Sequence, residues 1–576
     1  MKGIGSKMTK DYNTKSKDQF EAQTLEQSEA KTLEQSEAKT LEQFEAKIDV
    51  MIEAQKELFH SEILEFKEIG HKLLRGDITS NEFKASSGGM GVYAQKGGKE
   101  FMIRLRVLSG VLDIKTLELI HDFAIDYNLQ DVHLTTREAI QLHNLAFDDV
   151  ISIMTKSLDS NLYTRGGGGN FPRNVSLSPL SGVAAGEAFD VTPYALAVNK
   201  YFLSGMNHYK LPRKFKVAFS NNQEDTANAT IADLGFLAVN QDGKHQFKVF
   251  IGGGLGNQGA IAVPFDELVA PEEILYHIKA GLQVFTEEGD YENKGKARMR
   301  YIVKRLGSEE FLNRYRSALD KVKQSEHLEY SAEPIIEHFV AHTSTDIQDN
   351  DYNIASHQNL IPQKQSGLYT AIVHAKGGIL KVQDLNQLIT FLRGIPNAQL
   401  RLSMEENLYI RNLTLSQANE LVTLIGPLGQ TTKLERSISC IGVPICQIGI
   451  GESQKLLNDI LTYFEQKGMT EDLLPSIQIS GCLNSCSRHQ VSEIGLQCKK
   501  KQVPNQSSEI YSLHIGGMTG EFDTNLGKIY GDISADTIPA FLYELALRLK
   551  ERQVNFKEYR VVYQEEFEAL VGKYLV

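Results

Sequence analysis

Asp131-Val-His-Leu-Thr-Thr-Arg-Glu-Ala-Ile-Gln-Leu-His143 is written a second time, in altered form, 268 residues further on. Without a gap, Gly110-Val-Leu aligns with Gly378-Ile-Leu, and Leu117 and Ile120 with Leu385 and Leu388. His133-Leu falls on Arg401-Leu, Glu138 on Glu406, Ile140 on Leu408 and Asn144-Leu on Asn412-Leu. An internal repeat implies a pseudo-symmetric fold. Each copy reads as strand–helix–strand. Phe101–Val107 alternates, with Ile103, Leu105 and Val107 on one face and Arg104 and Arg106 on the other. Ile114–Tyr127 reads as a helix. Asp131–His143 reads as one strand, with Ile140 and Leu142 opposite Arg137, Gln141 and His143. The unit closes near Leu158. Ile372 and Glu405 stand in the second copy where the first has Arg104 and Arg137, so only the first keeps a cationic face.

Between the copies, Arg165-Gly-Gly-Gly-Gly-Asn-Phe-Pro-Arg-Asn-Val175 is a glycine run leading into an extended segment. Four glycines make a hinge, or let backbone approach a flat ligand. Leu211–Phe219 reads as a strand with Lys214 and Lys216 outward, and Ile251–Gly256 as a turn. Helices are expected over Pro271–Phe285, Lys294–Leu306 and Ile533–Arg552. Three near-identical octapeptides run from Glu21 to Phe44, and an eight-residue period does not sustain a regular supercoil. Asp18–Ile69 has no glycine and reads as a weakly docked helix without chemistry.

At 576 residues, with 41% hydrophobic and 23% charged residues, the chain is expected to be a soluble protein of several domains. It lacks a membrane-length apolar run and an N-terminal secretory core. A net charge of −12 argues against general nucleic-acid affinity. Five cysteines, odd in number and late in the chain, suit a reducing cytoplasm rather than a disulfide framework.

Four of those cysteines form two pairs, Cys440-x5-Cys446 and Cys482-x3-Cys486. A cysteine-only quartet suits zinc or an iron–sulfur cluster. The wide first pair argues against zinc. Cys498 is left over as a buried structural thiol. Arg104, Arg106, Arg137, Arg173, Lys214 and Lys216 all project from faces opposite apolar neighbours. Any one could be a solvated surface charge, but as a converging set they call for an anion.

On these motifs the chain resembles the sirohaem-dependent sulfite and nitrite reductases, from about Gly88 to Val576. The carriers are the cysteine pattern, Phe-Met-x-Arg-x-Arg, Thr-Thr-Arg-x-x-x-Gln-x-His, Arg-Asn-Val and Leu-Pro-Arg-Lys-Phe-Lys. Leu483 departs from the family's usual proline. The resemblance implies a 4Fe–4S cluster on Cys440, Cys446, Cys482 and Cys486, with Cys486 also bridging to the sirohaem iron. It further implies catalytic roles for Arg104, Arg173, Lys214 and Lys216. Arg106, Arg137, Gln141, His143, Asn484 and Cys486 would bind cofactor. The implied fold is α+β: a pseudo-twofold pair of ferredoxin-like half domains (88–160 and 366–430) and two mixed αβ sirohaem- and cluster-binding domains (161–335 and 431–576). A linker is expected at 336–365 and an N-terminal extension at 1–75. The implied activity is six-electron reduction of sulfite to sulfide, with nitrite to ammonia as the alternative. Lys214-x-Lys216 favours sulfite, since nitrite enzymes of the family often carry asparagine at the second position. A ferredoxin or a flavoprotein subunit would supply electrons. The remaining alternative is a non-catalytic zinc scaffold.

Overall fold

The computed structural model describes residues 47–330, 358–426, 432–503 and 506–576. The octapeptides and most of the expected linker lie outside this range. Residues 47–75 form helix α1, and α2 (Ser80–Met90) is closed by a Thr79–Glu82 capping box. The first half domain follows with β1 (Val92–Ala94), β2 (Phe101–Leu105), β3 (Val111–Leu112), α3 (Ile114–Asp126), β4 (Asp131–Leu134), β5 (Ile140–Leu145) and α4 (Phe147–Asp159). A parallel-and-antiparallel unit comes next: β6 (Ser176–Leu177), α5 (Thr192–Ser204), β7 (Val217–Ser220), β8 (Leu234–Gln241), β9 (Lys244–Ile251) and β10 (Val263–Val269). It is covered by α6 (Ile274–Glu288), α7 (Met299–Leu306) and α8 (Ser308–Ser325).

The second half domain repeats the first as β11 (Leu360–Pro362), β12 (Leu368–His374), β13 (Ile379–Lys381), α9 (Val382–Leu392), β14 (Gln399–Leu402), β15 (Asn407–Thr414) and α10 (Leu415–Leu424). The last unit holds β16 (Ile438–Ser439), α11 (Ser453–Gln466), β17 (Ile477–Ser480), β18 (Ile494–Val503), β19 (Gln506–Ile515) and β20 (Lys528–Ser534). Helices α12 (Ile538–Arg552), α13 (Phe556–Val562) and α14 (Gln564–Tyr574) complete it. The architecture is α+β, built on ferredoxin-like halves.

The halves are locked by exchange. Sheet one runs β1-β2-β5-β4-β13 and sheet two β11-β12-β15-β14-β3, so each half lends its short strand to the other. The repeat extends to backbone detail: Ser109 and Gly377, Glu138 and Glu406, and Asn144 and Asn412 share positive φ at equivalent places. The larger units repeat too, at an offset of 260. The strand–turn–strand path through Ser220–Leu237 is followed again from Ser480 to Gln497. Asp225 (φ 55) and Asn228 (φ 60) match Ser485 (φ 51) and Arg488 (φ 62). Gly235 and Gly495 occupy the same crowded point, where a Cβ would meet a carbonyl oxygen at 2.0 and 1.9 Å.

Several expectations need correction. Asp131–His143 is a hairpin rather than one strand, because Glu138 at φ 53 reverses the chain between β4 and β5. Arg137 therefore sits in the turn. Arg106 lies past the end of β2, bridging to Tyr163, and is buried rather than on Arg104's face. The expected linker ends sooner than 365: β11 already pairs with β12 from Leu360. Lys294–Arg298 is not helical, since α7 begins at Met299. Helix α1 is firmly seated, burying Ile52, Phe59, Ile63 and Phe66 in the half-domain core. Phe66, Phe83, Phe101 and Phe147 pack as one aromatic group, with ring centroids 5.1–6.0 Å apart.

Burial also shapes the response to acid. Burial lowers His133, His374 and His514 to about 4 and His277 and His489 to about 3, and takes His143 well below its ordinary value. A neutral buried histidine takes its proton first in the unfolded chain. Between pH 6.5 and about 3, stability at His277 therefore falls as acid is added. Glu406, raised by burial to about 8, and Glu138 and Asp225, also raised by burial, act in the opposite sense but are three groups against six. The urea midpoint should drop steeply from pH 7 to pH 5. His277→Gln should remove about 2 kcal/mol of that drop, and an unchanged pH slope in the variant would contradict it.

Candidate active site

The thiols come together because β16 and β17 are adjacent and parallel, so Cys440 and Cys482 leave neighbouring strands at the same end. Their loops are stitched to each other. The N–H groups of Ile450 and Gly451 donate to the Gly481 carbonyl at 3.0 and 3.1 Å, and Cys446 N–H donates to Gly442 O at 2.7 Å. Cys440 Sγ accepts from Gly481 N–H at 3.1 Å. Asn484 hydrogen-bonds the Cys482 thiol through its backbone and its side chain. Burial and then the neighbouring Cys486 push Cys440 up to about 12; burial also raises Cys446 and Cys482. Such a group becomes thiolate only when positive charge is supplied, which metal coordination does. Among the described residues no three Cys, His, Asp or Glu side chains gather as ligands of one ion.

Cys486 is exposed and turned towards a cationic cleft. Thr136, in the turn after β4, donates to the Cys486 carbonyl at 2.9 Å. Cys486 lies within electrostatic reach of Lys214. Around the cleft stand Arg104, Arg106, Arg137, Arg173, Lys214 and Lys216, which the fold brings within electrostatic reach of one another. Burial first, then the neighbouring cations, lowers Arg106 to about 9, Arg137 and Arg173 to about 10 and Lys214 to about 7. Lys216 is driven well below its ordinary value by burial and by Lys214.

Each arginine is aimed by something specific. Arg104 Nη1 donates to Gly167 O at 2.5 Å, and Arg173 donates to Gly166 O at 3.2 Å and Gly169 O at 2.9 Å. Arg106 holds Asn199 Oδ1 at 2.9 Å, and Arg137 holds Val217 O at 2.9 Å. The Gln141 amide, turned with its oxygen to Arg104 Nε at 2.9 Å, donates to His143 Nε2 at 3.0 Å. Gln141 and His143 are buried behind the cations, so they touch the cleft through Arg104. Lys214 and Lys216 have no ion-pair partner among the described residues.

Four further residues join the site: Arg298 and Arg300, which the sequence reads equally well as carboxylate contacts or as a basic helix face, and Asp233 and Arg213, which it does not single out. Arg298 and Arg300 are buried, and Gly254 at φ 150 brings backbone so close that a Cβ would lie 3.0 and 3.2 Å from their guanidiniums. Asp233 holds Arg298 at 2.9 Å. Arg213, half-buried, is lowered by burial and Arg298. A glycine turn without a nucleotide fingerprint carries no signal of the close approach at Gly254. Lys294 and Lys296, from the same stretch, are exposed.

These residues fit the two cofactors implied by the motifs. Arg106 Nε and Nη1, Arg137 Nε, Arg298 Nε and Arg300 Nη1 are buried N–H groups without a partner among the described residues. A macrocycle bearing several carboxylates satisfies such donors. Cys482→Ser should reduce iron and acid-labile sulfide in anaerobically purified protein with unchanged far-UV circular dichroism. Full iron content in the variant would remove Cys482 from the ligand set.

Residues 93–157 match the nitrite/sulfite reductase ferredoxin-like half domain, and residues 168–323 the nitrite and sulphite reductase 4Fe-4S domain. The second match covers the larger unit that lacks thiols: Asn222 and Thr226 stand where its repeat has Cys482 and Cys486. A ferredoxin–nitrite reductase of Synechococcus elongatus is 28% identical over 463 residues, 78% of this chain and 86% of that one. A ferredoxin sulfite reductase of Mycolicibacterium paratuberculosis is 24% identical over 437 residues, covering 73% and 74%. The structure of Mycobacterium tuberculosis NirA superposes with a TM-score of 0.67 at 22% identity, covering 81% of this chain and 86% of that one, and shares the fold. With thiol quartet, cationic cleft and both domain types in place, the chain carries the domains of the nitrite and sulfite reductases and is an oxidoreductase with sirohaem and a 4Fe–4S cluster.

Proposed function

We propose that the chain reduces sulfite to sulfide, and that Arg104, Arg173, Lys214 and Lys216 form the pocket that receives the oxyanion. The observation that carries the reading is the pair of ammonium groups on Lys214 and Lys216, half-buried and in no ion pair among the described residues. Two unpartnered cations crowded among guanidiniums are costly unless an anion enters. Sulfite carries more charge than nitrite, and the second lysine matches that extra charge. The more similar named relatives include ferredoxin–nitrite reductases as well as a sulfite reductase, so nitrite is the competing substrate.

When bound, the sirohaem and cluster supply electron transfer and a site for the sulfur or nitrogen atom. The chain's own residues do the rest. Arg104 and Arg173, held by the glycine-run carbonyls, present N–H groups in a fixed direction. Such preorganised donors stabilise charge on the oxyanion as oxygens are lost. Sulfite takes up six electrons and seven protons to give hydrosulfide and three waters. Lys214, lowered to about 7, is matched to giving and regaining a proton near neutral pH, whereas the arginines remain charged donors. Cys440, Cys446, Cys482 and Cys486 would hold the cluster, Cys486 lying nearest the cleft. Electrons would come from a ferredoxin, the donor named for the relatives.

Turnover of sulfite and nitrite with a reduced dye donor decides the substrate: sulfite should give the higher kcat/KM. Lys216→Ala should cut that value by about a hundredfold, the scale of one lost charge-stabilising donor, while sirohaem content stays normal. Loss of sirohaem instead would make Lys216 a cofactor-binding residue. Preference for nitrite would overturn the substrate assignment.

A further inference from the structure

Helix α1 lies outside both family-matched segments, yet it reaches the edge of the cleft. Its inner face carries Ile52, Phe59, Ile63, Phe66 and Gly70, one stripe along the helix. Gly70 sits where the Phe147 ring fills the space of a Cβ, which fixes the helix both along and around its axis. Gln55 bonds Asn207 at 2.6 Å, and Asp49 pairs with Lys200 at 3.0 Å. Seated this way, the helix brings Glu62 to Arg165, the residue that opens the glycine run.

The contact is a two-pronged fork. Arg165 Nε donates to Glu62 Oε2 at 2.8 Å and Nη2 to Oε1 at 3.2 Å. Both side chains are mostly buried, at 14% and 25% exposure, so solvent screens the pair less than a surface bridge. The third nitrogen, Nη1, donates to Gly89 O at 3.1 Å, and the guanidinium lies 4.6 Å over the Phe171 ring. Arg165 is thereby held on three sides. The residues just after it do the aiming: Gly166 O and Gly169 O fix Arg173, and Gly167 O fixes Arg104. A run of four glycines has no side chains of its own to set its path. Its path is set by what clamps its ends, by Gly166 N–H donating to Gly89 O at 2.9 Å and Gly167 N–H to Thr164 O at 3.0 Å, and by Tyr93, whose hydroxyl accepts from Gly169 N–H at 3.2 Å.

We propose that Glu62 is a positioning residue for the oxyanion pocket. Through Arg165 it holds the carbonyls of Gly166, Gly167 and Gly169 where they direct Arg104 and Arg173 onto the substrate. The proposal rests on the pocket assigned above, and it gives α1 a role in turnover.

The test uses the cofactor-loaded enzyme with Glu62→Gln, Arg165→Gln, the double variant, and Asp49→Ala as a control for helix docking alone. Glu62→Gln should lower kcat/KM for the preferred anion about tenfold, as small misplacements of binding groups do, mostly through KM. Cofactor content should hold. Amide hydrogen exchange across Gly166–Gly169 should speed up at least severalfold. The double variant should lose no more than Arg165→Gln alone, since the two act as one unit. Asp49→Ala should leave kinetics and exchange unchanged. Wild-type KM and wild-type exchange in Glu62→Gln, additive losses in the double variant, or an equal effect of Asp49→Ala would each overturn the proposal. If the native enzyme reduces neither anion, the pocket assignment fails, while the exchange experiment still reports whether Glu62 holds the glycine run.

Discussion

The structure depends on a concentration of like charge that the protein alone does not neutralise. Arg104, Arg106, Arg137, Arg173, Lys214, Lys216 and Arg298 influence one another electrostatically, and Asp233 and Glu138 are the carboxylates among them. Removing charge from water costs several kcal/mol per ion unless partners compensate. On the proposed function, the neutralising charge arrives from outside, as macrocycle carboxylates and an anionic substrate. Buried N–H groups left open on Arg106, Arg137, Arg298 and Arg300 are the geometric face of the same fact.

Duplication explains how one site was built on a symmetric frame. The exchange of β3 and β13 between the two half-domain sheets sets the halves about a pseudo-twofold axis. The two larger units then share a turn of the same backbone conformation. One carries Cys482 and Cys486, and the other carries Asn222 and Thr226. Likewise Arg137 and Glu405 occupy matching turns with opposite charge. Glu405 lies 3.9 Å from Arg488, an internal compensation, whereas Arg137 looks onto the cleft. Chemistry sits on one side of the axis because side chains diverged while the backbone did not.

The glycine run shows how backbone can do the work of positioning. Gly168 has Gly88 O and the Tyr93 hydroxyl where a Cβ would be. Only glycine fits, and carbonyls are then the sole groups with which the segment can hold two arginines. A segment so bare takes its shape from neighbours, which is why Arg165 and the helix that anchors it belong to the site.

How much of this was legible in the residues follows from the range of each interaction. The repeat, the cysteine pairs, and the alternation that puts Arg104 opposite Ile103 and Leu105 are local patterns, and they determined the fold class and most of the site. Alternation could not see the reversal at Glu138, because Thr135–Ala139 has no glycine or proline to mark a turn. It could not foresee that Arg106, one residue past a strand end, would be buried against Asn199 from a helix over ninety positions away. Gly254 beside Arg298 and Arg300, and Glu62 against Arg165, are likewise contacts between distant segments with no periodic trace. Residue type and spacing by themselves determined which chemical groups the protein carries. Tertiary packing alone decided which of them are buried without partners, because burial is a property of the folded surface and not of the neighbours in the chain.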